Sequence, residues 1–335
     1  MRLMVIAGRT LFVAAFAVQY CSAASADKSL GGSELLTKAV ALENIRAADA
    51  KPFHVHLRVH TQRIVSKPTE GTYDEVWLGP NKWRREISFP GFTQVVVGDQ
   101  NSAWLSRNLD FRPRLAYMIS QAIDRFIHPE LLPKENIGSV RERKNKGVTL
   151  QCAELRSSST VGRELCFDQS GALVSDESKS DSQGQNFEYA DYTKFEGRIF
   201  PHSIRVNESG REILSMTAED LSLPQDTPPK LFEHDLGAVQ IAPCEQLPTN
   251  LVKNVPPHYP EDARHNGQQG AVILYAFLSA DGQVSRVKVL QGLSPSLDQA
   301  TIQAVQQWVY APVTCGSLPL PTEVEIRINY TLSYM

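Results

Sequence analysis

Two stretches of this chain alternate apolar and polar residues so strictly that each reads as a strand with one buried face. In the first, Phe53, Val55, Leu57 and Val59 alternate with His54, His56, Arg58 and His60. In the second, Val324, Ile326, Ile328, Tyr330, Leu332 and Tyr334 point one way, and Glu325, Arg327, Asn329, Thr331 and Ser333 point the other. Successive side chains of a strand lie on opposite faces, so each stretch calls for a sheet with an apolar layer on one side.

The residues around the first stretch continue the pattern. Strands are expected over 72–78, 82–89, 92–97 and 103–105, separated by Gly79-Pro80-Asn81, Pro90-Gly91 and Gly98-Asp99, which reads as a meander of hairpins. Further strands are expected over 139–143, 148–156, 164–168, 172–175, 186–195, 199–207 and 213–221, with a polar loop over 176–185. Helical spacing marks 35–48 and 115–126, the second preceded by Pro113, a residue suited to a helix start. Prolines 224, 228, 229, 243 and 248 put a domain junction between 223 and 251. Beyond it, 271–278 (AVILYAFL) is an uninterrupted apolar strand, expected to be covered on both faces. Asp281-Gly282 makes a turn into a strand over 284–290. Ser294-Pro295 caps a helix carrying Leu297, Thr301, Ala304 and Trp308 on one face and ending at Pro312. The fold class is therefore α+β: an N-terminal antiparallel β-rich part with helices over 27–240, a linker over 241–254, and a small β-β-α-β domain over 255–335.

The start of the chain reads as an export signal. Arg2 and Arg9 supply a positive segment ahead of a short apolar run over 11–18, and Ala24-Ser25-Ala26 offers a cleavage site before Asp27. The run falls short of the roughly 20 residues of a membrane span. The expectation is a periplasmic protein. A retained anchor is the competing reading, as is a lipid on Cys21, where Tyr20 replaces the small residue that a lipoprotein signal prefers. With residues 1–26 removed, Cys152, Cys166, Cys244 and Cys315 remain, and an even number in an exported chain suggests two disulfides. Three pairings are possible. Cys152 and Cys166 flank the turn-like segment 157–162, which favours a local bridge and leaves Cys244 with Cys315.

Few of the residue groupings suggest chemistry. A net charge of -3 gives no basic excess for nucleic acid. His54, His56 and His60 share a strand face, which can chelate a metal but reads more simply as a solvated face. No zinc-hydrolase, serine-hydrolase or phosphate-loop motif is present, and no cofactor or enzymatic activity is expected. The basic run 141–146 (RERKNK) reads as a hairpin tip.

Pro257-His258-Tyr259-Pro260, Ala263, Gly267, Gly270-Ala271-Val272, Asp281-Gly282, Leu297-Asp298, Ala300 and Trp308-Val309-Tyr310-Ala311-Pro312 follow in an order that resembles the C-terminal domain of the TonB energy-transducer family. The resemblance covers about 255–335. It implies a domain that binds a short segment of an outer-membrane receptor, or another envelope protein, through its last strand. That places the partner site on residues 323–334, with Val324, Glu325, Ile326, Arg327, Ile328, Asn329, Tyr330, Thr331 and Leu332 as its members. Self-pairing of two such edges into a homodimer is the competing use. Residues 34–240 more weakly resemble LolA-like lipoprotein-carrier domains, through the tandem hairpins, Trp77 and Trp83 around Gly79-Pro80, the Trp104 strand, and the turn at Phe195-Glu196-Gly197-Arg198. This likeness implies a half-open barrel with a greasy concave face, and makes Trp77, Trp83 and Trp104 candidates to line a pocket for a lipid or lipoprotein.

Overall fold

A computed structural model of the chain describes residues 31–62, 68–99, 102–127, 137–145, 147–155, 162–178, 184–241, 250–315 and 318–332. The first helix, α1 (Gly32–Glu43), precedes five strands: β1 (Phe53–Thr61), β2 (Thr69–Gly79), β3 (Lys82–Phe89), β4 (Phe92–Gly98) and β5 (Ala103–Arg107). Helix α2 (Arg114–Ile127) follows. Next come β6 (Ile137–Asn145), β7 (Val148–Leu155), β8 (Arg163–Phe167), β9 (Leu173–Ser178), β10 (Gln185–Phe195), β11 (Arg198–Glu208), β12 (Arg211–Ser222) and the short β13 (Val239–Ile241). All of these strands pair in one antiparallel sheet, in the order β13-β5-β4-β3-β2-β1-β12-β11-β10-β9-β8-β7-β6. Among the described residues β13 and β6 are its two edges, so the sheet does not close on itself there.

The alternation in β1 has the consequence expected of it. Phe53, Val55, Leu57 and Val59 are buried, and the His and Arg residues between them lie on the outer face. Antiparallel register places Phe53 opposite Trp77, and Trp77 opposite Trp83, so three large aromatics form a row across the inner face. Helices α1 and α2 cover that face. Ala116, Met118, Ile119, Ala122, Ile123, Phe126 and Ile127 of α2 are all buried in the same core.

Two ionic clusters hold α2 down near its last turn. Asp124 accepts from Arg46, which also holds the buried Glu75. Arg125 donates to the buried Asp176, which Arg163 also contacts. In buried clusters of this kind desolvation offsets much of the attraction, whereas removing one partner leaves a buried charge uncompensated.

The rest of the chain forms β14 (Leu251–Lys253), α3 (Glu261–His265), β15 (Gly270–Leu278), β16 (Val284–Gln291), α4 (Pro295–Val305), β17 (Val309–Tyr310), β18 (Thr314–Cys315), β19 (Leu318–Pro319) and β20 (Thr322–Tyr330). The second main sheet has the order β16-β15-β20. Val272, Leu274, Ala276 and Leu278 of β15 form one core with Leu297 and Val305 of α4, Trp308, and Val324, Ile326 and Tyr330 of β20. The Ser294 side chain accepts the Leu297 N–H, and Pro295 opens the helix, as the sequence implied.

Several elements differ from expectation. Helix α1 ends at Glu43 rather than reaching residue 48. Helix α4 ends at Val305 rather than at Pro312: the chain turns at Gln306-Gln307, and Val309–Tyr310 is recruited as a strand against Leu251–Lys253. Within the stretch expected to be a loop over 176–185, β9 runs on through Ser178.

Candidate functional site

Strand β20 is an edge. It pairs with β15 along its whole length, from Gly270 opposite Tyr330 to Leu278 opposite Thr322, and among the described residues no strand pairs with its other side. Val324, Ile326 and Tyr330 are buried in the core, with Ile328 packed against it. The Tyr330 hydroxyl lies 2.8 Å from Thr301 Oγ1. Asn329 and Thr331 are exposed, and the Leu332 N–H donates to Gln269 Oε1. Ser333 and Tyr334 lie outside the described residues.

The other face of this sheet is not solvated, although its polar alternation suggested that it would be. It packs on the N-terminal part, along residues 107–117 and the β11–β12 turn. Arg107 donates from Nη1 to Glu323 Oε2 (3.0 Å) and from Nη2 to Glu323 Oε1 (2.5 Å), and the Tyr275 hydroxyl donates to Glu323 Oε1 (2.7 Å). Glu208 Oε1 accepts from both Arg114 (2.5 Å) and Arg327 (2.6 Å). Arg114 also donates to Gln291 Oε1 (3.0 Å), and Arg286 to the Asp110 carbonyl (2.9 Å). The Lys288 ammonium sits 3.9 Å from the centre of the Phe111 ring. This second covered face explains why β15 is apolar on both sides.

The electrostatics of the seam are uneven. Burial pushes the Glu323 carboxyl up, but the hydrogen bonds and charge of Arg107 outweigh it and hold Glu323 below the usual carboxylate range. Two residues on, burial raises Glu325 to about 7, and the nearby Arg114 offsets this only in part. Glu325 Oε2 is buried without a hydrogen-bond partner, as are Arg112 Nε and Arg114 Nε.

The remaining sequence candidates are scattered. Trp77 and Trp83 are 2% and 6% exposed, so both are core residues; Trp77 stacks on Phe53. Trp104 does not join them: it sits between buried Ala103 and Leu105, on the opposite face of β5, stacked on His234. His54 and His56 both hydrogen-bond Asp74, and His60 bonds Glu70. The bond to Asp74 raises His54 above its usual value, and burial opposes it. Among the described residues no group of three or more ligand-type side chains is arranged to hold a metal. Arg141 and Arg143 of the basic run both engage the buried Glu164. Cys152 and Cys166 form a disulfide between β7 and β8, where they stand directly opposite. Cys244 and the side chain of Cys315 lie outside the described residues. Sequence reading missed Arg107, Arg112, Arg114, Glu208 and Tyr275. The available signal was the unbroken apolar run of β15, which required a second layer without saying what supplied it.

Residues 255–332 match the family described as Gram-negative bacterial TonB protein C-terminal. The TonB protein of Vibrio cholerae is 29% identical over 86 residues, which are 25% of this chain and 35% of that protein. The chain therefore spans about a third of the length of such relatives. Among solved structures, a LolA superfamily protein from Nitrosomonas europaea aligns over 62% of this chain and 99% of its own, at 17% identity and a TM-score of 0.42. The C-terminal domain of Pseudomonas aeruginosa TonB aligns over 27% of this chain and 93% of its own, at 21% identity and a TM-score of 0.24. Among the described residues no helix is long and apolar enough to cross a membrane.

Proposed function

We propose that this chain is an exported, periplasmic envelope protein. Its C-terminal domain would capture an extended segment of another envelope protein by strand addition to β20, in association with transport across the outer membrane. The edge position of β20, within a segment matching the TonB C-terminal family, carries this reading. An unpaired edge offers a row of backbone N–H and C=O groups, which give an added strand its affinity, while pockets for alternate side chains give selectivity. The chemistry asked of the site is binding alone, with no cofactor. The partner class favoured is a TonB-dependent outer-membrane receptor, contacting Val324 to Leu332 along the outer edge.

The N-terminal part is a half-open barrel in this reading, and serves as the platform that holds the C-terminal sheet. Lipid carriage by it is less supported. Trp77 and Trp83 already fill the core beneath α2, so a pocket there requires α2 to leave its two ionic clusters.

The test is titration of the full chain with peptides taken from the periplasmic ends of outer-membrane receptors. Binding should saturate, and, if the Asn329 N–H points away from β15, Asn329→Pro should weaken it while circular dichroism stays unchanged, because proline removes a backbone donor and distorts the edge. Binding and self-association both unaffected by Asn329→Pro would remove β20 as the site.

A further inference from the structure

We infer that the seam between the two sheets is a proton-controlled latch, in which a proton on Glu325 closes the C-terminal domain onto the N-terminal part and loss of that proton loosens it. Glu325 lies mid-strand on β20, opposite Tyr275, which is itself opposite Lys288 of β16. Its two neighbours on the same face are both satisfied. Glu323 is held by Arg107 and Tyr275, and Arg327 by Glu208. Of these three, Glu325 is the one that presents a buried oxygen with no donor among the described residues, and the Nε atoms of Arg112 and Arg114 are likewise buried and unbonded there. The ionic complement of the seam is therefore not closed. A buried, unpaired oxygen is far more costly on a carboxylate than on a neutral carboxyl group.

The groups around Glu325 fix the direction of the effect. Arg112, Arg114 and Arg327 are permanent cations, and the Arg114 and Arg327 guanidinium groups are shared with the Glu208 carboxylate. Tyr117 of α2 and Tyr275 of β15 are both raised above the ordinary tyrosine value, chiefly by burial, and stay neutral. Burial thus prevails and lifts Glu325 from an ordinary 4.5 to about 7. A raised carboxyl pKa means that docking takes up a proton. Docking is strongest below the undocked value, near 4.5, and weakens as pH rises to about 7, by roughly tenfold per unit and up to about 300-fold in all. Glu323 acts with the opposite sign: its pKa is lowered in the docked state, so its contribution disappears as pH falls through that lowered value. The latch is tightest at mildly acid pH. This inference does not depend on β20 accepting a partner strand.

The test uses the full chain carrying fluorophores on non-natural residues at exposed Thr193 and Gln303, one in each part, with the cysteines untouched. Single-molecule energy transfer then gives the ratio of undocked to docked molecules between pH 5 and 8. That ratio should rise by about a hundredfold in the native chain and by less than threefold in Glu325→Gln, which mimics the protonated group. Glu323→Gln removes a partner of Arg107 without touching Glu325. It should raise the undocked fraction at every pH and keep the native slope, so the slope remains testable if Glu325→Gln fails to fold. A native ratio that does not change with pH, or an equal rise in the native chain and Glu325→Gln, overturns the latch.

Discussion

Removing the Arg107–Glu323 contact should weaken the hold of the C-terminal sheet by an amount the geometry sets. The two side chains are 9% and 13% exposed, and Glu323 accepts three hydrogen bonds, two from Arg107 and one from Tyr275. Breaking a fully buried pair costs about 3–5 kcal/mol, because one charge is left without compensation. Here the loss is smaller. With Glu323 gone, the Arg107 guanidinium keeps the Leu109 carbonyl at 3.0 Å and the Tyr275 hydroxyl at 3.3 Å, and some solvent reaches it. Glu323→Ala should therefore cost about 2–3 kcal/mol, with a coupling of about 1.5–2.5 kcal/mol in a cycle with Arg107→Ala. The assay is hydrogen exchange in the full chain, followed by mass spectrometry on peptides covering 270–278 and 322–330 over a urea series. Because Glu323 is depressed by its partner, its contribution is present at neutral pH and lost as pH falls through its folded value. Additive effects of the two substitutions, within about 0.5 kcal/mol, would refute the description of this contact as a coupled, largely buried pair.

Three further outcomes follow from particular positions. Gly282→Ala should destabilise the C-terminal domain by at least about 2 kcal/mol in urea denaturation: Gly282 has φ +83°, and an added Cβ would stand 1.9 Å from the Tyr310 carbonyl oxygen. Replacing Cys152 and Cys166 with serine should cost about 3 kcal/mol by the chain-entropy estimate for a bridge closing a sequence separation of 14, seen as a lower urea midpoint that reductant no longer alters. Trp77→Ala should cost about 3–5 kcal/mol, since the indole is buried and stacked on Phe53; a loss below 1 kcal/mol would show that the inner face has room there.

Much of the fold is legible in the sequence because local patterning decides it. The alternation in β1 and β20, the Asp281-Gly282 turn and the Ser294-Pro295 cap are all short-range signals, and each element forms there, although β20 is Thr322–Tyr330 and leaves Thr331 and Leu332, which continue the alternation, beyond its end. The local bridge between Cys152 and Cys166 follows from the hairpin geometry in the same way. What the sequence leaves hidden depends on distant partners. The polar face of β20 looks solvated because Glu325 and Arg327 give no local sign that Arg114 and Glu208, more than a hundred residues earlier, will cover it. Likewise Trp104 resembles Trp77 and Trp83 in type, yet strand parity puts it on the opposite face. Helix α4 stops short of Pro312 because Val309 and Tyr310 gain strand partners at Lys253 and Leu251, a tertiary gain that helical spacing does not encode.

In the proposed function, β20 is the edge where a partner strand adds. Backbone amide exchange measured residue by residue on the full chain, with and without a saturating receptor-derived peptide, tests it most directly. Strand addition predicts new protection at alternate residues within 322–330, those whose N–H groups point away from β15, with β16 unchanged. Protection confined to β16 or to the N-terminal sheet, with β20 exchanging as it does in the free protein, would contradict it.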